Sequence, residues 1–287
     1  MPTRTFEAER IKTNSIYLNV VQAGPEDGPL VILLHGFPEF WFGWRRQIGY
    51  LAELGLRVWV PDQRGYNLSD KPKGVAAYQM KHLVDDVQGL IASASAEKAM
   101  LVGHDWGAMV AWWSALRYPE SIQKLGILNV PHPHVMMKTI GNDFTQMRKS
   151  WYVVFFQIPW LPEQLFTQNN ASNTLSGLQN NALEGSFTDA DLENYRTAWN
   201  RPHAITSMIN WYRAYVRKQP EDPTSWRVKV PTMMIWGEKD GFLKKSMAQP
   251  SIDLCNEGQL HLIPSGTHWV QHDAADEVNT YLGEFLT

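Results

Sequence analysis

The segment Gly103-His104-Asp105-Trp106-Gly107 has the pattern of a nucleophile elbow, a strand-turn-helix in which the central residue is usually serine. Here the central residue is Asp105. A carboxylate that attacked a carbonyl would form a reactive anhydride, whereas one that attacks a saturated carbon displaces a leaving group and forms an ester. The segment therefore predicts a nucleophile for an alkyl electrophile, such as an epoxide or an alkyl halide.

Two later segments supply the partners that such a nucleophile needs. Asp240 follows the apolar run that ends at Trp236, and His268 precedes the last helical pattern. A carboxylate beside an imidazole orients it and stabilises its charged form, so that the histidine can draw a proton from water. We predict Asp240 as the acid and His268 as the base, with Glu238 as the alternative acid. Asn129 occupies another strand end that can carry the acid, but its amide cannot stabilise an imidazolium.

A loop after an apolar run is expected to bind the oxyanion that forms when water attacks the ester. His35 to Pro38 follow the run that ends at Leu34. Behind a nucleophile elbow, this loop supplies one backbone N–H and the residue after the nucleophile supplies the other. We assign these donors to Phe37 and Trp106. Pro38 is either an ordinary turn proline or part of a cis peptide bond that directs the Phe37 N–H inward.

The elements that must position these residues follow from alternating patterns. Short apolar runs, typical of strands covered on both faces, lie at residues 30–34, 58–60, 99–102, 127–128 and 232–236. Apolar spacing predicts helices at residues 83–91 and 278–285. Alternating strands and helices predict an α/β fold with a mostly parallel, doubly wound sheet. The order of nucleophile, acid and histidine is that of the α/β-hydrolase fold.

The alternation stops in the middle of the chain. Residues 132–221 contain few strand signals, many Asn, Gln, Leu and aromatic residues, and prolines at both edges. We predict a mainly helical cap over residues 132–221. It is inserted between a first part of the hydrolase core, residues 1–131, and a second part, residues 222–287.

Three motifs together resemble those of the α/β-hydrolase epoxide hydrolases, and the resemblance covers nearly the whole chain. They are His35-Gly36-Phe37-Pro38-Glu39, the tract from Arg64 to Pro72, and the elbow that contains Asp105. The family tract usually reads Arg-Gly-Tyr-Gly. Asn67 departs from that pattern, but it lies outside the predicted reacting groups.

The resemblance implies two proton-donating tyrosines in the cap. In the family one tyrosine precedes an aromatic-Gln motif, which matches Tyr152, and the other lies in an Asn-Trp-Tyr-Arg segment, which matches Tyr212. During ring opening the epoxide oxygen gains negative charge, and a phenol of pKa ~10 is protonated at neutral pH and can donate to it. The resemblance therefore implies an epoxide hydrolase that forms vicinal diols through an ester on Asp105, without a cofactor. Packing within the cap is the alternative role for both tyrosines.

Two other functions compete with this one. A haloalkane dehalogenase would use the same triad, with the indole N–H groups of Trp106 and Trp151 as candidate halide donors. However, Phe37 stands where many such enzymes carry asparagine, and Trp106 and Met109 stand where fluoroacetate dehalogenases resemble one another in carrying arginine. A hydrolase-fold binding protein without catalysis would lack a triad or oxyanion residue, and all of them are present.

The substrate is expected to be a small, apolar epoxide. Aromatic residues of the cap, together with residues of the oxyanion loop, would line an apolar pocket. The predicted substrate-binding residues are Trp151, Phe155, Trp211, His35 and Pro38. The cap aromatics would serve equally well as the core of the cap.

Composition argues against other partners. The 287 residues carry 26 basic and 29 acidic side chains, with no basic block for nucleic acid. No apolar stretch reaches the ~20 residues of a membrane span. His132 and His134 lack a further ligand set with metal-site spacing, so we expect no metal. The N-terminal segment lacks the apolar core of a signal peptide and Cys255 is the only cysteine, so we expect a cytoplasmic protein. A monomer and a homodimer are both compatible with the sequence.

Overall fold

Eight strands form one sheet in the part of the chain that the computed structural model describes, residues 6–287. The strands are Glu7–Thr13 (β1), Ile16–Ala23 (β2), Leu30–Leu34 (β3), Arg57–Pro61 (β4), Ala99–His104 (β5), Ile122–Leu128 (β6), Thr232–Gly237 (β7) and Gly258–Ile263 (β8). Their spatial order is β1-β2-β4-β3-β5-β6-β7-β8. The pairs β1–β2 and β2–β4 are antiparallel, and β3 to β8 run parallel. The sheet is therefore mostly parallel, as the alternation of strands and helices predicts.

The helices fall into three groups along the chain. Those before β6 are Arg45–Glu53 (α1), Met80–Ser93 (α2) and Trp106–Arg117 (α3). Those between β6 and β7 are Pro133–Asn142 (α4), Phe144–Lys149 (α5), Trp151–Phe155 (α6), Leu161–Thr167 (α7), Ser172–Asn180 (α8), Asp189–Trp199 (α9) and Ala204–Arg217 (α10). Those after β7 are Ala248–Ile252 (α11), Val270–Asp273 (α12) and Ala275–Leu286 (α13). Among residues 6–287 no helix is both long and apolar enough to cross a membrane.

Helices cover both faces of the sheet. Val31 and Leu33 of β3 pack with α1 and α13 on one face, while Ile32 and Leu34 pack with α2 and α3 on the other. Successive side chains of a strand point to opposite faces, so a strand covered on both sides is apolar throughout. This is why the central strands are visible in the sequence as uninterrupted apolar runs.

Three strands have no such run in the sequence. β1 and β8 are the two edges of the sheet, and most of their residues are exposed or only half-buried. β2 is interrupted by Asn19 and Gln22. Strands that are covered on one face or lie at an edge can carry polar residues without loss of core packing, so apolar runs alone do not reveal them.

The helical insertion lies above the carboxyl ends of the parallel strands, because it leaves the sheet after β6 and returns at β7. Its first helix begins at Pro133 and its last ends at Arg217. The division into units at residues 131 and 221 stays a prediction. α10 ties the insertion to the core, since the Trp211 indole donates to the Arg64 carbonyl at 3.0 Å and Tyr78 donates to the Ser207 hydroxyl at 2.9 Å.

The turn between β5 and α3 requires glycine at position 107. A Cβ atom at Gly107 would lie 2.0 Å from the carbonyl oxygen of Leu34, so no side chain fits between α3 and β3. This close approach lets α3 start directly after the turn, and the turn holds residue 105 above the end of the sheet.

We expect Gly107→Ala to lower the free energy of unfolding by at least about 1–3 kcal/mol, the usual cost of overpacking a core. The control is Gly141→Ala in α4, where an added Cβ meets no atom within 4 Å. The control should leave stability unchanged or raise it by roughly 0.5–1 kcal/mol, because alanine favours the helical conformation. Urea unfolding of both variants tests this, and equal midpoints for the two would contradict it.

Candidate active site

Asp105 lies at the tip of the elbow, between the end of β5 and the start of α3. Its backbone has φ +50°, a conformation that turns the side chain out of the strand direction. Its Oδ1 accepts the backbone N–H of Phe37 at 2.7 Å. A Cβ at Gly36 would lie 2.3 Å from the Cβ of Asp105, so glycine allows this loop to approach the carboxylate. The Phe37-Pro38 peptide bond is cis, as the second interpretation of Pro38 predicts.

Loops that follow β7 and β8 bring Asp240 and His268 to the same place. Nδ1 of His268 lies 2.8 Å from Oδ2 of Asp240, and Nε2 lies 3.5 Å from Oδ2 of Asp105. His268 and Asp240 are both buried. The structure therefore places one imidazole between two carboxylates, with a different ring nitrogen facing each.

Ionic interactions govern the charges of these three groups. Burial alone would lower the pKa of His268, but attraction to Asp240 and hydrogen bonds to Asp105 and Asp240 raise it to about 10. Burial would raise the pKa of each carboxyl, but the bonds and charge of His268 lower both. At neutral pH the free site therefore holds an imidazolium between two ionised carboxylates.

Asn129 orients the acid. Its Nδ2 donates to Oδ2 of Asp240 at 2.8 Å, and its Oδ1 accepts the Gly237 N–H at 2.9 Å. The other oxygen of Asp240 accepts the backbone N–H groups of Phe242 and Leu243 at 2.7 and 2.8 Å. An amide that cannot itself serve as the acid thus fixes the carboxylate that faces His268.

The alternative acid has a different partner. The Lys245 ammonium contacts Glu238 Oε2 at 2.6 Å, in a partly exposed ion pair. The structure shows His268 paired with Asp240 and Asp105 instead.

Tyr152 of α6 and Tyr212 of α10 face Asp105 from the cap. Their ring centroids are 6.0 Å apart, and both rings line cavities that Asp105 also lines. Burial, and next the charge of Asp105, raise the pKa of each phenol above its ordinary value. Both groups therefore keep their protons at neutral pH and can act as donors.

Two cavities meet at Asp105, Tyr152 and Tyr212, which line both of them. The larger has a volume of about 410 Å³ and is bounded mostly by apolar side chains. Of the predicted substrate-binding residues, Trp151, Phe155 and Pro38 line it, as does Phe37. The smaller, of about 110 Å³, is lined by Trp106 and Met109 as well as by Asp105 and the two tyrosines.

Two residues that we expected at the substrate lie behind the cavity wall. Both ring nitrogens of His35 are engaged by backbone groups, of Gly36 and Gln63, each at 3.0 Å. Trp211 is buried, and its indole bonds the Arg64 carbonyl. Neither side chain lines the two cavities that contain Asp105. In a motif of adjacent residues, only the backbone conformation decides which of them face the cavity.

Comparisons with known proteins agree with this geometry. A family model described as alpha/beta hydrolase fold matches residues 29–275. "AB hydrolase superfamily protein YfhM" of Bacillus subtilis is 43% identical over 96% of this chain and 96% of its own. "Epoxide hydrolase 1" of Caenorhabditis elegans is 37% identical over 98% of this chain and 70% of its own. The crystal structure of Bacillus megaterium epoxide hydrolase with an inhibitor has a TM-score of 0.89 and 28% identity, and the match covers 97% of this chain and 99% of that one.

The chain belongs to the epoxide hydrolases of the α/β-hydrolase fold. The resemblance in the three motifs is thereby confirmed. The roles of the individual site residues, including the oxyanion donors Phe37 and Trp106, are not tested by family membership and stay predictions.

Glu39 is a buried acid to which no motif of this family member assigned a role. Its Oε1 accepts the Tyr195 hydroxyl at 2.6 Å and contacts Nε2 of His272 at 2.8 Å, and its Oε2 accepts the Gln271 amide at 2.9 Å. Burial would raise the pKa of Glu39, but the charge of His272 and hydrogen bonds from His104 and His272 hold it well below its usual range. Glu39 thus joins the oxyanion loop to α9 of the cap and to the segment after His268.

Asp273 makes a second junction that the sequence did not reveal. Its Oδ1 accepts the Leu183 N–H at 2.9 Å and the Ser186 hydroxyl at 2.7 Å, both between α8 and α9. Its Oδ2 accepts the N–H and hydroxyl of Thr267, next to His268, at 2.8 and 2.5 Å. One carboxylate therefore holds a cap loop and the loop of the histidine together. No local pattern marks it, because all three of its partners are remote or neutral.

The pKa of His268 couples stability to pH. Because the folded value of about 10 lies above the ordinary 6.5, the stabilisation is full below about pH 6.5 and is lost as pH rises to 10. We expect the difference in Tm between the wild type and His268→Gln to be largest near the acidic end of this window and to shrink towards its basic end. For a chain of 287 residues each kcal/mol corresponds to about 2 °C.

The same comparison in an Asp240→Asn background is the control. Removal of this carboxylate takes away the main attraction that raises the pKa of His268, so the pH trend should largely disappear. A Tm difference that stays constant across the window in the wild-type background would show that His268 is not held as an imidazolium.

Proposed function

We propose that the protein hydrolyses epoxides to vicinal diols through a covalent ester on Asp105. One observation carries the proposal: an ionised carboxylate and two protonated phenols, Tyr152 and Tyr212, line the same apolar cavity beside His268. The carboxylate suits attack on a saturated carbon, and the phenols suit a leaving oxygen that remains part of the substrate. Names of the relatives, which include epoxide hydrolases, support the same reaction.

In the first step, Asp105 attacks one epoxide carbon and the C–O bond to the ring oxygen breaks. That oxygen takes a proton from one phenol, and the product is a hydroxyalkyl ester. The negative charge of Asp105 disappears when the ester forms. This charge helps to raise the pKa of His268, so the imidazolium becomes more acidic and returns a proton to the phenolate. His268 is then neutral and able to act as a base.

In the second step, His268 takes a proton from water, and the resulting hydroxide attacks the ester carbonyl of Asp105. The N–H groups of Phe37 and Trp106 stabilise the oxyanion. When the ester C–O bond breaks, the alkoxide takes the remaining proton of the attacking water, and the diol leaves. Asp105 and the imidazolium are regenerated. Asp240 stabilises the imidazolium, and the scheme needs no cofactor.

The dehalogenase alternative has less support. A halide needs N–H donors beside the nucleophile, but the Trp106 ring packs edge-on against the Tyr212 ring, with the two centroids 4.9 Å apart. Trp151, the other candidate donor, is 63% exposed at the cavity mouth. The groups that face Asp105 from the cap are phenols.

The expected cytoplasmic location and the expected apolar epoxide substrate are also part of this proposal.

We expect His268→Gln to accumulate the ester when it is incubated with styrene oxide, because Asp105 can still attack but no base activates water. Intact-protein mass spectrometry should show one added mass equal to that of the epoxide. The control is Asp105→Asn/His268→Gln, which should gain no mass. A folded His268→Gln protein without an adduct, alongside an active wild type, would contradict the covalent scheme.

We expect Tyr152→Phe/Tyr212→Phe to lower the rate of ester formation by roughly 10²–10⁴, the usual contribution of general acid catalysis. Single-turnover kinetics in the His268→Gln background measures this step alone. Tyr281→Phe serves as the control, because this tyrosine stacks on His261 and lines neither cavity. Ester formation at the parental rate in the double variant would exclude the tyrosines as donors.

A further inference from the structure

Exposed apolar side chains are concentrated in one part of the cap. Eight of the thirteen exposed large hydrophobic residues found within residues 6–287 lie between positions 140 and 165. Phe144 is 76% exposed, Val154 73% and Trp160 64%. Single exposed apolar residues are normal on a protein surface, but a contiguous group of this kind marks an interaction site.

Six of these residues recur every three or four positions along the chain. We call them the cap stripe: Ile140, Phe144, Met147, Trp151, Val154 and Ile158. Phe144, Met147, Trp151 and Val154 lie on α5 and α6, and their spacing of three and four residues is that of one face of a helix. Ile140 on α4 and Ile158 after α6 extend the group at either end. α5 and α6 are nearly continuous, because the Ser150 N–H bonds the Gln146 carbonyl and the Val153 N–H bonds the Ser150 carbonyl, both at 3.0 Å. Here, however, the apolar face points to solvent.

The cap stripe continues into the mouth of the larger cavity. Trp151 belongs to both, and Leu165, which is 44% exposed, also lines the cavity. Asn173 and Asn181 of the α8 region, both exposed, also line this cavity. Anything that covers the cap stripe therefore lies against the path by which a substrate enters.

The charges around the cap stripe are unbalanced. Lys138 and Arg148 are exposed and have no ion-pair partner within residues 6–287. The acidic residues of the same region are already paired: Asp143 contacts Lys244 at 2.5 Å, and Glu163 contacts Arg213 at 2.6 Å. The surface next to the stripe therefore carries uncompensated positive charge, which favours an anionic partner.

We propose that the cap stripe binds an anionic lipid surface, with the cavity mouth turned towards the lipid. Amphipathic helical faces that carry tryptophan and flanking cations bind membrane interfaces in this way. A second copy of the chain on the stripe would close the mouth, whereas a lipid phase dissolves apolar molecules and can deliver them. This last argument rests on the proposed function, because it takes the substrate to be an apolar epoxide.

Vesicle sedimentation tests the proposal. The protein should pellet with vesicles that contain phosphatidylglycerol and bind phosphatidylcholine vesicles more weakly, and added salt should reduce the difference. Phe144→Gln/Met147→Gln/Val154→Gln should lower binding by at least roughly tenfold, because burial of even one such side chain contributes about that much. None of these three residues lines the two cavities that contain Asp105. Diol formation from a water-soluble epoxide without lipid should therefore be unchanged.

The matched control is Leu54→Gln/Val216→Gln/Leu262→Gln, which changes three exposed apolar residues elsewhere on the surface. This variant should bind vesicles as the wild type does. Equal losses in both variants, or no binding by the wild type, would overturn the proposal. So would a dimer in light scattering that the stripe variant alone abolishes, because the stripe would then bind a second copy. If the protein forms diols but does not bind vesicles, only the proposed docking surface is refuted. If it binds vesicles but forms no diol, only the proposed function is refuted.

Discussion

The imidazolium of His268, held between Asp105 and Asp240, is the interaction on which the site depends. Three charges are buried at one point, and burial opposes each of them. They are compatible only because the cation lies 2.8 Å from one carboxylate and 3.5 Å from the other. Loss of either negative charge therefore shifts the proton of His268. In the proposed reaction, formation of an ester on Asp105 causes such a loss, so the same arrangement would hold the nucleophile ionised before the first step and free the base for the second.

Such an arrangement needs rigid support from the surrounding loops. Asn129 and two backbone N–H groups fix Asp240, and Asp273 fixes the loop that carries His268. Asp273 and Glu39 also bond to the cap, through Ser186 and Tyr195. The position of His268 is thus linked to the position of the cap on the core. The cap also carries the two phenols that face Asp105, so the two halves of the proposed reaction use groups from different parts of the fold.

The sequence predicted what depends on local pattern. The central strands are apolar throughout, because both faces of the sheet are covered, and the elbow has glycines where a Cβ atom does not fit. Asp105, Asp240 and His268 each follow a strand, and the carboxyl ends of parallel strands meet at one edge. What the sequence could not show depends on which side chains turn towards each other over long separations. Asn129 and Asp273 are examples, since their partners lie far along the chain.

The sequence also could not show the direction in which each side chain points. His35 and Pro38 belong to one motif, yet only Pro38 lines the cavity. Tyr212 and Trp211 are neighbours on α10. Tyr212 faces Asp105, whereas the Trp211 indole donates to the Arg64 carbonyl in the core. On a helix, adjacent residues point about 100° apart, so a motif identifies the helix face only when the fold is known. In the proposed reaction, the core of this protein supplies the nucleophile for attack on a saturated carbon, and the cap supplies the proton donors for the leaving oxygen. Trp151 of the cap stripe and Tyr152 lie on the same short helix and line the same cavity, so the proposed docking surface and a proposed proton donor are neighbours on α6.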